Sequence, residues 1–215
     1  MKVQQKNDQV LLKRLPGFED IEQVWDPDLL ISTAWISPGE FYVTTSAEMI
    51  STVVGSSVSA CIRDTDTGVG GMNHFLLPGD RCSNPEPSRA QAYLETRFGV
   101  VAMENLINEI LKQGSRKSCL EVKLFGGGDV PGQDRSNVGS KNITFIRDFV
   151  RAEGLSVAVE ELGGSFARKV TYSPQTGEVR VRKLRAVHKS IVADQEREYV
   201  QAVSDSRDAM GDAKN

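Results

Sequence analysis

Residues 50–78, ISTVVGSSVSACIRDTDTGVGGMNHFLLP, constrain the fold more than any other stretch of the chain. Val58, Ala60 and Ile62 alternate with Ser57, Ser59 and Cys61, the period of a strand with one apolar and one small polar face. Asp64, Asp66 and Gly68 follow and supply turn chemistry, because Asp tolerates turn conformations and Gly accepts a positive φ without steric cost. A second strand over 69–77 carries His74, the one histidine in the apolar body of the chain. A two-residue turn at Thr65 and Asp66 sets Asp64 against Thr67, and the same register sets Ser57 directly opposite His74. Directly opposed Cβ atoms lie roughly 4.5–5.5 Å apart, and a one-residue slip would send one side chain to the other face. A hydroxyl and an imidazole therefore face each other at the base of a hairpin. A histidine on an apolar strand is also commonly a plain interior residue, so the residues alone leave a reactive pair and a structural pair both open.

Composition narrows the setting. The chain has 215 residues, enough for one well-buried domain with length to spare. A net charge of −3 lacks the basic excess of a general nucleic-acid binder. No apolar run approaches the roughly 20 residues that span a bilayer, and residues 1–7 lack the apolar core of a signal peptide. The three cysteines, Cys61, Cys82 and Cys119, are widely spaced with no CxxC pair. They indicate neither a disulfide framework nor a metal site, no cofactor motif is present, and a reducing cytoplasm is the expected location.

Around the hairpin, residues 1–39 form an N-terminal extension whose Trp25, Leu29, Leu30, Ile31 and Trp35 are apolar enough to dock on the main domain or on a second copy. The main domain covers 40–185. A strand is expected over 41–45, a surface loop over 79–89, and a helix over 90–113 with Gly114 as its αL stop. A strand over 120–125 runs into Gly126-Gly127-Gly128, which matches neither GxGxxG nor GxxxxGKS and suits close backbone approach. A second helix is expected over 138–152, a strand over 155–162, and a hairpin from 167–172 and 178–184 with a basic, wet face. Residues 186–215 form a polar tail in which His188 is exposed and 204–215 are frayed.

With these pieces placed, the sequence resembles the CheD family of bacterial chemotaxis proteins. GSSVSACIRD (55–64), GGMNHFLLP (70–78), RFGVVAMENLINEILKQG (97–114), KLFGGG (123–128), NVGSKNITFIRDFV (137–150) and GGSFARKVTYSPQTGEVRVRKL (163–184) match the family in order and spacing. The similarity runs from about residue 40 to 184. It implies an α/β fold of layered mixed β-sheets flanked by helices, shared with the cytotoxic necrotising factor deamidase toxins. It also implies a hydrolase that converts chemoreceptor glutamine side chains to glutamate through a Cys–His pair and a threonine. The implied partners are chemoreceptor helices and a CheC-type phosphatase, with no nucleic acid and no membrane insertion.

Carried over by position, the family's histidine falls on His74 and its threonine on Ser51, with Thr52 adjacent as a substitute. The nucleophilic cysteine falls on Ser57. A thiol of pKa roughly 8.5 ionises readily beside an imidazole, whereas a serine hydroxyl needs a well-oriented base. An oxygen in a site shaped for sulfur is also misplaced, and about an ångström can cost on the order of a hundredfold. The resemblance thus implies a deamidase that is weak or inactive as written, its nucleophile exchanged from Cys to Ser. Two alternatives stand beside it: a non-catalytic adaptor that binds receptor or phosphatase, and a serine amidase or esterase. In the mechanism so implied, N–H groups near 55–57 hold the oxyanion. Cys61, two pairs along the strand from Ser57, is expected to be a buried small apolar residue.

Overall fold

The computed structural model describes residues 14–27, 30–77, 89–129, 137–184, 194, 196 and 198–202. Ten strands form two mixed five-stranded sheets. The first has the order β1-β2-β4-β9-β10 (Glu22–Asp26, Ile31–Trp35, Met49–Val54, Arg168–Tyr172, Val179–Lys183). The second has the order β3-β6-β5-β7-β8 (Phe41–Thr44, Gly70–Asn73, Val58–Asp64, Leu120–Gly126, Ser156–Leu162). Helices α1 (Arg89–Lys112) and α2 (Val138–Ala152) pack on the second sheet, α1 against β3, β5 and β6 and α2 against β5 and β8. The α/β fold of layered mixed sheets with flanking helices is as expected.

Strand β5 explains the layering. Val58 to Ile62 are all fully buried, on both faces of the strand. On the apolar face, Ile62 pairs with Gly71, where an added Cβ would come within 2.9 Å of Leu106 Cδ1 of α1. The other face, with Ser57, Ser59 and Cys61, is turned toward the first sheet. One apolar cluster continues through both sheets, from Ile50 and Val170 in the first to Val122 and Leu124 in the second. A strand covered on both sides needs small or apolar residues on both, and GSSVSACI supplies them.

The helix signals hold closely: α2 spans the expected residues, and Gly114 and Gly154 end the helices at φ +91° and +65°. The hairpin register differs. Cys61 pairs with Met72 and Arg63 with Gly70, so Ser57 is not directly opposite His74. The turn is longer than two residues because Asp64 organises it. Its Oδ1 accepts the N–H groups of Asp66 and Thr67, and Gly68 N–H returns to Asp64 O at 2.9 Å with φ +74°. The shift is by two residues, which keeps each side chain on its face. Beyond Asn73 the ladder gives way to one bridge, Val58 to Phe75.

Within the N-terminal segment, β1 and β2 complete the first sheet, with β2 parallel to β4. Buried Glu48 fixes that attachment, accepting from Tyr42 Oη at 2.9 Å and from Gln23 Nε2 of β1 at 3.0 Å. Of the loop expected over 79–89, residues 79–88 lie outside the described residues, as do Cys82, His188 and the end of the tail from 204, whereas Arg89 already opens α1. No helix among the described residues is long and apolar enough to cross a membrane.

Replacing Glu48 by Ala leaves the Tyr42 and Thr44 hydroxyls without this acceptor and takes one of the two acceptors of Gln23 Nε2. Stability should fall by roughly 2–4 kcal/mol, read as a drop of roughly 5–15 °C in the thermal unfolding midpoint. Exposed Glu178→Ala should move it by less than about 2 °C.

Candidate functional site

The site is built at the bend between β4 and β5. Three consecutive carbonyls of that bend are held from behind. Gly55 O accepts from Gly128 N at 2.7 Å, Ser56 O from Asn142 Nδ2 of α2 at 2.9 Å, and Ser57 O from Gly127 N at 2.7 Å. This is the close approach that the glycine run permits. A Cβ on Gly126 would lie 2.2 Å from Ser57 O, and Gly127 has φ +65°. With the carbonyls pinned, the N–H groups of Gly55 and Ser57 converge on one oxygen.

His74 lies just past the end of β6, its backbone tied to Glu40 O through its N–H (2.9 Å) and to Gly39 N through its carbonyl (2.8 Å). Its Nε2 lies 2.8 Å from Ser57 Oγ and its Nδ1 2.8 Å from Thr52 Oγ1. The Thr52 hydroxyl gives its one proton to Ile36 O at 2.7 Å, so it receives from His74 Nδ1–H. That fixes the tautomer: the Nε2 lone pair of the neutral ring faces Ser57. Complete burial pushes the His74 pKa down to about 4, against a smaller opposite pull from the Glu196 carboxylate.

Of the two hydroxyls on β4, the structure brings only Thr52 to the imidazole. Ser51 bonds Val170 O (3.1 Å) and Thr171 Oγ1 (2.9 Å) on β9, because adjacent strand residues face opposite ways. Ser57 and His74 meet although the register is not the direct one, since a two-residue shift leaves a same-face diagonal neighbour. Cys61 is buried and paired with Met72 and Lys123, and burial pushes its thiol pKa up.

The residue that sequence reasoning missed is Glu196. It is buried, and Oε1 accepts from Ser57 Oγ (2.6 Å), Ser57 N (3.0 Å) and Gly55 N (3.2 Å), while Oε2 accepts from Ser56 Oγ (2.6 Å). It lies in a charged tail without a motif. Its one signal is helical spacing with Tyr199 and Val200. A cavity of about 320 Å³ also opens beside Thr52 and His74, lined in part by Asp20, Glu22 and Glu40. Among the described residues, the metal-capable group Asp64, Asp66 and Cys119 sits at the hairpin turn, where Asp64 is committed to backbone N–H groups.

The family model for CheD chemotactic sensory transduction matches residues 76–183. Three relatives carry the name probable chemoreceptor glutamine deamidase CheD. The protein of Halorhodospira halophila is 45% identical over 199 residues, 92% of this chain and 91% of its own. That of Hahella chejuensis is 39% identical over 193 residues, 90% of each. That of Saccharophagus degradans is 37% identical over 210 residues, 97% of this chain and 96% of its own. The last alignment takes in most of both segments flanking the central domain. With its two mixed sheets, its hairpin and likeness of this extent, the chain belongs to the CheD family.

Proposed function

We propose that this chain is a cytoplasmic protein-glutamine deamidase of chemoreceptors, with position 57 as the nucleophile, His74 as the base and Thr52 as the group that orients it. The observation that carries the reading is the line of contacts from Ile36 O through Thr52 and His74 to Ser57, ending at two convergent N–H donors.

With a thiol at position 57, His74 Nε2 takes its proton and the sulfur bonds to the glutamine side-chain carbonyl carbon. The carbonyl oxygen becomes an oxyanion between the N–H groups of Gly55 and Ser57, where Glu196 Oε1 now lies at 3.2 and 3.0 Å. The C–N bond breaks and nitrogen leaves as ammonia with the proton from the imidazolium. Water from the cavity beside His74 then attacks the thioester, returns a proton to His74 and releases glutamate. Ser57 supplies the same geometry with a far less acidic group, so the chain as written turns over slowly or not at all.

That serine favours a second reading, a non-catalytic member that binds receptor helices or a CheC-type phosphatase. Glutamine-to-glutamate conversion on receptor fragments, read by mass spectrometry, separates the two. Ser57→Cys should raise conversion by at least about a hundredfold. No conversion by a folded Ser57→Cys chain leaves the binding reading.

In the Ser57→Cys background, Thr52→Val should lower the rate by roughly tenfold or more, because the imidazole loses the acceptor that fixes its tautomer. Ser51→Ala should cost less, and the reverse order would move the orienting role to Ser51.

The pKa of His74 lies below the ordinary 6.5, at about 4, so between these values the unfolded chain binds the extra proton and the folded chain does not. This contribution to stability is complete above about 6.5 and is lost as the pH falls toward about 4. An imidazole NMR titration should show His74 neutral at pH 5.5, and a midpoint near 6.5 would contradict its burial.

A further inference from the structure

Glu196 holds both oxygens of its carboxylate in the place that the deamidase reading assigns to the reacting amide. Oε1 lies between the two N–H donors, and Oε2 is held by Ser56 Oγ. Chemically this is the side chain that deamidation of glutamine produces. It also competes for a proton. The Ser57 hydroxyl has one, and both Glu196 Oε1 at 2.6 Å and His74 Nε2 at 2.8 Å lie within reach of it. While Glu196 takes that proton, the base cannot.

The carboxylate is delivered by a helix. Residues 194, 196 and 198–202 are helical, and Glu196, Tyr199 and Val200 share one face at the i, i+3 and i+4 positions. Val200 is buried with Leu76, which closes the hairpin segment, and with Val138, the first residue of α2. The Tyr199 ring lies against Gly39, where a Cβ would fall 2.4 Å from Cε2. Gly39 in turn bonds the carbonyl of His74. The helix therefore seats on the rim that holds the imidazole and sends its glutamate down to the nucleophile.

We propose that the helical residues 194, 196 and 198–202 are an internal product mimic: they occupy the substrate cleft and place Glu196 where the modified side chain of a substrate helix ends. Substrate and this helix exclude each other, so turnover requires the helix to leave. The cleft binds a helix through one carboxamide or carboxylate side chain with an aromatic and an aliphatic residue three and four positions on. The proposal rests on the deamidase reading for the identity of the substrate, but the occlusion is testable without substrate.

In the Ser57→Cys chain, alkylation of the thiol at position 57 by iodoacetamide is followed by peptide mass spectrometry. Buried Cys61 serves as an internal control, and circular dichroism verifies the fold. Glu196→Ala should speed alkylation at least tenfold. So should Val200→Asp, which unseats the helix while leaving Glu196 and position 57 unchanged. Equal rates in all three chains would overturn the proposal. Acceleration by Glu196→Ala alone would reduce the effect to a local charge and also overturn it. A chain that passes this test yet never deamidates a receptor fragment would lose the deamidase reading and keep the occluding helix.

Discussion

The site depends on how the 55–57 bend is held. A backbone bend has donors and acceptors on both sides, and an anion subsite forms only if the acceptors are drawn away. Here Gly128, Asn142 and Gly127 take three carbonyls in succession. Two of these donors follow directly on the end of β7 and one belongs to α2, so the subsite ties together the sheet, the helix and the bend. Asn142 also accepts from Leu77 N at 2.9 Å, which draws the segment beyond His74 into the same frame. Position 57 and the histidine are thus fixed by one set of bonds, and preorganised donors of this kind stabilise developing charge without rearrangement.

The imidazole is ordered from the opposite side. Thr52 and Ile36 belong to or border the first sheet, while Ser57 immediately precedes β5 of the second. The chain of hydrogen bonds crosses between the two sheets, and packing between them sets its length. The integrity of β1 and β2, and of Glu48 that secures β1, therefore bears on the position of the base through Trp35 and Ile36. The family resemblance begins at about residue 40, yet residues before 40 complete the sheet that orients the imidazole.

Much of this was legible. Alternation identified β5, αL glycines identified the helix ends, and three glycines after a strand identified the close approach. Two things were hidden by physics rather than by weak signals. The register depended on Asp64 binding two turn N–H groups, a tertiary choice that a two-residue turn and a longer one compete for on similar residues. Its face assignment survived because the error was even. Glu196 was hidden because a buried acid in a polar tail differs from its exposed neighbours only in what it packs against. Tyr199 and Val200 at helical spacing were visible, but nothing local says which cleft they cover. Ser51 and Thr52 differ in strand face: the Ser51 side chain turns to β9 and that of Thr52 to His74.

The seat of Glu196 also measures depth. From a helix resting on Leu76, Val138 and Gly39, a side chain with two methylenes brings its carboxyl oxygen to the N–H pair. A side chain with one methylene, carried on the same helix, ends short of the donors by about an ångström, a displacement that costs on the order of a hundredfold in rate. In the proposed occluded arrangement, this depth favours a glutamine over an asparagine side chain with no residue that touches the difference. The ruler is the distance between the rim and the floor.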